Sequence, residues 1–395
     1  MPIRHKLDMS NPIEPYDSAN GPARVVTSAS SERQKMALNG ICAYFTMFPL
    51  SFPYDILQAH AQQGQWVLDP FCGRGTTNYA SRLLNLPSVG IDSHPLATAL
   101  SQAKLTTTTS AAIVAAARRI LETNPTAHTV PKGDFWHHAY NTSVLEQLCR
   151  LREALLQDCR SSARKGLRAV LLGALHGPLT KSIPSYFSNQ MPRTFAPKPT
   201  YAVKFWRNRN LTPSQVDVLQ LIETRAKRYY GPHLRPAVGK ILRGDSRNAS
   251  AFREIADPIS WVITSPPYYG MRTYLPDQWL RLWFLGGPSD VDYSNRNQLR
   301  HSSPQQFAAE LCQVWQNVAV VCHQQAKLIV RFGGINDRRA DPQEIIKASF
   351  ADSGWRITAT HPAGSAAEGR RQALHFSSPP KAIEEVDVWA VRDVS

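Results

Sequence analysis

Short apolar runs, each closed by an acid, a glycine or a proline, recur in two separated stretches of the chain. Trp66-Val67-Leu68-Asp69 and Ser88-Val89-Gly90-Ile91-Asp92 make the first pair, with a helical pattern from Tyr79 to Leu86 between them. Five more runs follow at 240–245, 261–264, 328–332, 355–359 and 386–391, and a long helical pattern covers Pro304 to Val321. Apolar runs this short read as strands buried on both faces, and their alternation with helical stretches predicts a mostly parallel sheet. The expected fold class is therefore α/β, a Rossmann-like sheet of about seven strands. Asp69, Asp92 and Asp245 all fall at the carboxyl ends of their strands, where open α/β sheets bind ligands.

The strand rhythm stops between Asp92 and Lys240. From Asp69 to Ser265 the chain uses 196 residues, where three compact βα units need about 70–100. This divides the chain into a flexible polar tail (1–32), a first part of the core (33–104), an inserted basic domain of mainly helical or irregular character (105–238) and a second part of the core (239–395).

Charge sharpens the division. The 395 residues carry 45 Lys+Arg against 30 Asp+Glu, a formal net charge of +15. Residues 105–240 alone hold 20 Lys+Arg against 7 Asp+Glu, so the rest of the chain is nearly neutral. A surplus concentrated in this way points to a phosphate-bearing partner, nucleic acid before membrane. Prolines at 184, 192, 197 and 199 exclude regular structure there and predict an irregular arm. Aromatic, amide and basic residues interleave along that arm and past it. Tyr186, Asn189, Arg193, Lys198, Lys204 and Arg207 are the candidate nucleic-acid contacts, by base stacking and phosphate pairing. The same aromatics packed beneath a long loop are an equal alternative. Trp279 and Trp283, at helical spacing, are expected in the core.

Six cysteines include no Cys-x-x-Cys pair, which excludes the common zinc-finger spacings and gives no disulfide framework. His137-His138 has no second ligand cluster beside it, so no metal site is expected. No apolar run reaches the ~18–20 residues of a membrane helix, and the first residues lack the apolar stretch of a secretory signal. A cytoplasmic protein is the expectation.

The chemistry is concentrated in two motifs. Asp69-Pro70-Phe71-Cys72-Gly73-Arg74-Gly75-Thr76-Thr77 is a strand end, a Gly-x-Gly turn and a helix start. Asp92, some twenty residues on, has the spacing of a ribose-binding carboxylate. An acid before the turn would repel a pyrophosphate but attract an ammonium, which favours S-adenosylmethionine over a dinucleotide. The second motif is Ser265-Pro266-Pro267-Tyr268, directly after an apolar strand. Its prolines preset the backbone, so that the Ser265 hydroxyl and the Pro266 carbonyl can accept hydrogen bonds from the N–H groups of a base amino group. The Tyr268 ring can stack on an everted base.

Together these residues resemble the S-adenosylmethionine-dependent amino-methyltransferases of DNA. The likeness covers roughly residues 33–105 and 238–395. Asp69–Thr76 is similar to their cofactor motif, Ser265–Tyr268 to their catalytic tetrad, and Tyr44–Pro53 to their N-terminal cofactor-side segment. The resemblance implies a class I methyltransferase sheet whose last strand is antiparallel. It further implies cofactor contacts from Phe48, Asp69, Phe71, Gly73, Gly75, Thr76, Asp92 and Asp245, with Asp245 facing the adenine amino group. Base positioning would fall to Ser265, Pro266, Pro267 and Tyr268, with Arg272 in a loop over the base. Serine at the head of the tetrad is typical of cytosine-N4 enzymes, and aspartate or asparagine of adenine-N6 enzymes. A cytosine-C5 enzyme needs a thiolate, usually in Pro-Cys, and no cysteine here follows a proline. The implied partners are double-stranded DNA and a cognate restriction endonuclease, and the inserted basic domain is the expected target-recognition unit. Three alternatives stand beside cytosine-N4 transfer: adenine-N6 transfer, an RNA amino-methyltransferase, and a catalytically silent nucleic-acid-binding subunit.

Overall fold

The computed structural model describes residues 36–44, 48–177, 185–191, 198–231, 234–270, 275–291, 303–334, 340–365 and 384–393. Seven strands form one sheet: β1 (Trp66–Asp69), β2 (Ser88–Asp92), β3 (Gly239–Arg243), β4 (Ile259–Thr264), β5 (Cys322–Phe332), β6 (Trp355–Ser365) and β7 (Glu384–Arg392). Their order is β3-β2-β1-β4-β5-β7-β6. All pairings are parallel except those of β7, which runs antiparallel to β5 and to β6. This is the α/β sheet the sequence predicts, with the last strand reversed. The strand order turns back between β1 and β4, so the crevice at their carboxyl ends is the switch point where such sheets take a ligand.

Several boundaries differ from expectation by a few residues, two of them for a clear local reason. The first helix starts at Thr76 rather than Tyr79 (α2, Thr76–Leu83, after α1 at Ser51–His60). Gly75 caps it in the left-handed region at φ 75°, so polar Thr76 and Thr77 can fill a buried first turn. Strand β5 begins at Cys322 rather than 328, because exposed His323, Gln324 and Gln325 continue the strand without an apolar signal.

Sheet residues alternate between two cores, as strand geometry requires. Val67, Trp261, Ile263 and Ile329 face one; Leu68, Val262, Leu328 and Val330 face the other. The second core is completed by α11 (Pro304–Val320) and α12 (Pro342–Ala348). The first is completed by α3 (Pro95–Leu105) and by the helices of the basic segment. These are α4 (Ser110–Thr123), α5 (Asp134–Ala139), α6 (Thr142–Gln157), α7 (Ser162–Ala174), α8 (Pro199–Asn208) and α9 (Val218–Tyr229). Thr109, Asn141, Ser161 and Asp217 cap four of them by accepting a backbone N–H two or three residues on.

Among the described residues, the insertion thus has no core separate from that of the sheet. Ile113, Leu167, Trp206 and Ile222 are buried in the same cluster as Val67 and Ile263. Helix α10 (Leu275–Phe284) joins this layer, and its Trp279 and Trp283 are buried as expected. Among the described residues no helix is long and apolar enough to cross a membrane.

Candidate active site at the carboxyl ends of β1 and β4

Asp69 closes β1, and its carboxylate is fully buried. Its Oδ1 accepts from the Phe71 N–H (3.1 Å) and from the Thr264 hydroxyl (2.6 Å). The neighbouring Thr77 hydroxyl donates to the Ile263 carbonyl at 3.2 Å, a second tie between helix α2 and β4. Among the described residues, Oδ2 of Asp69 is buried with no hydrogen-bond partner. Burial pushes the Asp69 carboxyl up to about 6; the Thr264 and Thr77 hydroxyls pull it part of the way back, and Asp92 nearby adds to the rise. An orphaned carboxylate oxygen at a strand end is costly to bury unless a cation compensates it.

The glycine turn follows. Gly75 N–H donates to the Cys72 carbonyl (2.6 Å) and Cys72 N–H to the Ile91 carbonyl of β2 (3.0 Å). Gly73 lies at φ 51° and its N–H donates to Asp92 Oδ2 at 2.9 Å, while the His94 N–H donates to Oδ1 at 2.8 Å. Burial lifts the Asp92 carboxyl to about 6 against these two bonds. A Cβ on Gly75 would stand 2.7–2.9 Å from Ser101, backbone atoms included. Since Ser101 Oγ also donates to the Gly73 carbonyl (2.8 Å), Gly75→Ala must displace the floor of the turn. We expect a melting temperature lower by several degrees and cofactor affinity lower by at least tenfold; thermal unfolding with and without S-adenosylmethionine measures both. Wild-type affinity in that variant would refute the role of the turn.

The upstream segment is held over this turn by cations that the sequence reading passed over. Arg74 donates to the backbone carbonyls of Cys42 and Asn39, and buried Lys104 donates to Asn39 Oδ1 at 2.7 Å. Tyr44 lies nearby; burial raises its phenol pKa, and Asp92 and Cys72 raise it further. Phe48 packs edge-on against Phe52 (5.4 Å), and Arg331 of β5 lies 3.9 Å over the Phe52 ring. Phe71 packs edge-on against Trp315. Cys72 is buried and its thiol pushed well up by that burial, the state of a packing residue rather than of a thiolate nucleophile.

Asp245 follows β3 as expected, but its carboxylate is already engaged. Arg247 pairs with it at 2.6 Å and bridges to Glu310 at 2.8 Å. An adenine amino group would therefore share Asp245 with Arg247. Next to it, Ser246 Oγ donates to the Pro70 carbonyl at 2.6 Å, tying the β3 exit to the cofactor turn.

The tetrad leaves β4 one residue past Thr264, the residue bonded to Asp69. Pro266 is buried, Ser265 and Tyr268 are partly buried, and Pro267 is exposed. The Tyr268 hydroxyl donates to Glu385 Oε1 at 2.6 Å. The glycine turn, Asp92 and the tetrad exit are thus brought together at the carboxyl ends of β1, β2 and β4. These groups fit S-adenosylmethionine. A buried and a partly buried carboxylate suit a ligand with an ammonium, a sulfonium and ribose hydroxyls. Gly73 leaves space at the turn, where a Cβ would meet nothing nearer than the Phe71 carbonyl oxygen at 3.8 Å.

The candidate nucleic-acid residues divide. Lys198, Lys204 and Arg207 are exposed on or beside α8, Arg207 within 3.0 Å of Asp134. Asn189 is a correction. It is buried, its amide donates to the His138 and Leu211 carbonyls, and its Oδ1 accepts from the Gln190 N–H, so it holds the arm together and offers nothing to DNA. Tyr186 is half-buried with one face taken by the Arg225 guanidinium at 4.6 Å. Phe187 and Trp206 are core residues. Arg193 and Arg272 lie outside the described residues.

Comparison with known proteins agrees with the first part of this site. The N6/N4 family model described as DNA methylase matches residues 22–103, which include the glycine turn and Asp92 but not the tetrad. No curated protein matches the chain. Among solved structures, the rRNA methyltransferase AviRa from Streptomyces viridochromogenes is 12% identical, with 91% of this chain and 92% of that chain covered at a TM-score of 0.36. Magnesium protoporphyrin IX methyltransferase from Synechocystis, with bound S-adenosylmethionine, is 9% identical over 94% and 100% of the two chains at a TM-score of 0.32.

Proposed function

We propose that this protein transfers a methyl group from S-adenosylmethionine to the exocyclic N4 amino group of cytosine in double-stranded DNA, the target base being everted into the crevice beside β4. The observation that carries this reading is the 2.6 Å bond from Thr264 to Asp69. It joins the residue before the tetrad to the acid of the cofactor turn. A base held by the tetrad and a cofactor held by the turn are then immediate neighbours, and proximity and orientation supply much of the acceleration such a transfer needs.

When bound, S-adenosylmethionine supplies an electrophilic methyl carbon on a positively charged sulfur. Asp69 attracts the cationic methionine end, Asp92 accepts from the ribose hydroxyls, and Asp245 receives the adenine amino group beside Arg247. On the other side, a base amino nitrogen is a poor nucleophile because its lone pair is delocalised into the ring. The Ser265 hydroxyl and the Pro266 carbonyl would accept hydrogen bonds from its two N–H groups, which favours a pyramidal nitrogen with the lone pair directed out of the ring plane. As the N–C bond forms the S–C bond breaks, S-adenosylhomocysteine leaves, and the nitrogen gives up one proton to solvent. Pro266 and Pro267 hold those acceptors in a fixed direction, and Tyr268 stacks on the everted ring. Lys198, Lys204 and Arg207 meet phosphates along the duplex.

The serine supports cytosine-N4 over adenine-N6. Digesting DNA from an expressing host to nucleosides and separating them by mass spectrometry is the test. N4-methylcytidine (as the deoxynucleoside) is the expected product; N6-methyladenine in its place would reassign the base while keeping the cofactor half of the reading.

A further inference from the structure

The two prolines fix the backbone of the tetrad but not the side-chain torsions of Tyr268, and a stacking ring is useful only when presented at one angle. The structure supplies the missing constraint from β5 and β7. Glu385, second residue of β7, is 2% exposed, and its Oε1 accepts from the Tyr268 hydroxyl at 2.6 Å. Phe332, last residue of β5, meets the Tyr268 ring edge-on at 5.4 Å and 68°. Gly333 follows, and a Cβ there would stand 3.0 Å from Glu385 Cγ and 3.0 Å from Tyr268 Cε2. Ring, carboxylate and glycine therefore form a close-fitting seat in which a methyl group has no ready room.

We propose that Glu385 is a positioning residue: with Gly333 as floor, it latches the Tyr268 hydroxyl and holds the ring at the angle that receives the everted base. The hydroxyl is the handle and the ring face the working surface. Fixing the ring in advance removes the cost of ordering it when the base arrives. The inference rests on the proposed base transfer, because only a bound base gives the ring angle a purpose.

The experiment uses the full chain and has two arms. Tyr268→Phe, Glu385→Ala, the double variant and Glu385→Gln are compared for S-adenosylmethionine affinity, for KM and kcat on duplex DNA, and for melting temperature. Each single variant that breaks the bond is expected to lower kcat/KM on DNA about tenfold while cofactor affinity stays within about twofold. The double variant is expected to be no slower than the slower single, because both remove the same bond. Glu385→Gln, whose amide oxygen still accepts, is expected to recover to within about threefold of the wild type.

Wild-type turnover in Tyr268→Phe, or losses that multiply in the double variant, would overturn the proposal. A wild-type protein that binds cofactor but methylates no DNA would instead remove the functional reading. The melting-temperature cycle then still decides the latch, with non-additive shifts supporting it and additive shifts overturning it. Should Glu385→Ala fail to fold, Gly333→Ala approaches the seat from its other wall. A raised KM for DNA with unchanged cofactor affinity would support the latch, and an unchanged KM would overturn it.

Discussion

Ser265→Ala is expected to lower methyl transfer by about a hundredfold or more and to leave S-adenosylmethionine affinity within about twofold. The serine hydroxyl is the side-chain acceptor that the tetrad offers a base amino group, the Tyr268 hydroxyl being engaged by Glu385, and it is partly buried. An acceptor whose bond strengthens as the nitrogen becomes pyramidal acts mainly in the transition state, so its loss falls on kcat rather than on KM. Cofactor affinity is spared because Asp69, Gly73, Gly75 and Asp92 hold the turn from β1 and β2, and the side-chain ties to β4 go to Ile263 and Thr264, ahead of Ser265. Single-turnover transfer of a labelled methyl group, beside calorimetric titration of the cofactor, separates the two quantities. Turnover equal to the wild type would remove Ser265 from the mechanism; loss of cofactor binding would show that the substitution had disturbed β4 instead.

The second large effect is expected at Asp69, with opposite signs in the two states of the protein. Its carboxyl is pushed up to about 6 in the folded chain, above the ~3.9 of an unfolded aspartate. The folded state therefore binds more protons than the unfolded state between about pH 4 and 6. The stability this group contributes is full below about pH 4 and is lost as pH rises through about 6. Asp92, also raised to about 6, acts in the same direction. The ligand-free protein then carries a buried carboxylate at neutral pH that costs about 3 kcal/mol at Asp69 alone.

Asp69→Asn removes that cost, so the ligand-free protein is expected to melt higher at pH 7.5. Affinity for the cationic cofactor is expected to fall about tenfold to a hundredfold, because the compensating charge is gone. In the wild type the same logic makes affinity fall toward tenfold per pH unit below about pH 6. Melting curves and titrations of both proteins at pH 5, 6 and 7.5 check the pair of signs. A variant less stable than the wild type at pH 7.5, with unaltered affinity, would place the methionine end elsewhere.

Much of the sheet was legible because its inner parallel strands β1, β2 and β4 are buried on both faces and so carry their own short apolar runs. Val67, Leu68, Val262 and Ile263 read as strand without knowledge of their neighbours. The ends were less legible: His323–Gln325 are strand residues with polar, exposed side chains, and no local pattern marks them. Among the site residues, the glycines and Asp92 were readable because a turn that brings backbone to a ligand needs particular residues at particular spacings. Asn189 was misread for the opposite reason. An amide among aromatic and basic residues has the composition of a nucleic-acid contact, and only the fold shows its donors spent on His138 and Leu211.

What the sequence determined by itself is the set of parts: seven strands, a Gly-x-Gly turn, an acid at each of three strand ends and a proline-braced serine exit. What the tertiary structure decided is which parts touch. Thr264 and Asp69 are 195 residues apart, and Tyr268 and Glu385 are 117 apart. Arg74 and Lys104 converge on Asn39, and the basic segment shares its core with the sheet instead of standing apart. The physical reason is one of range. Backbone conformation and strand burial are imposed by neighbours a few residues away, whereas a hydrogen bond between side chains depends on strand order and register, which are fixed only when the sheet closes.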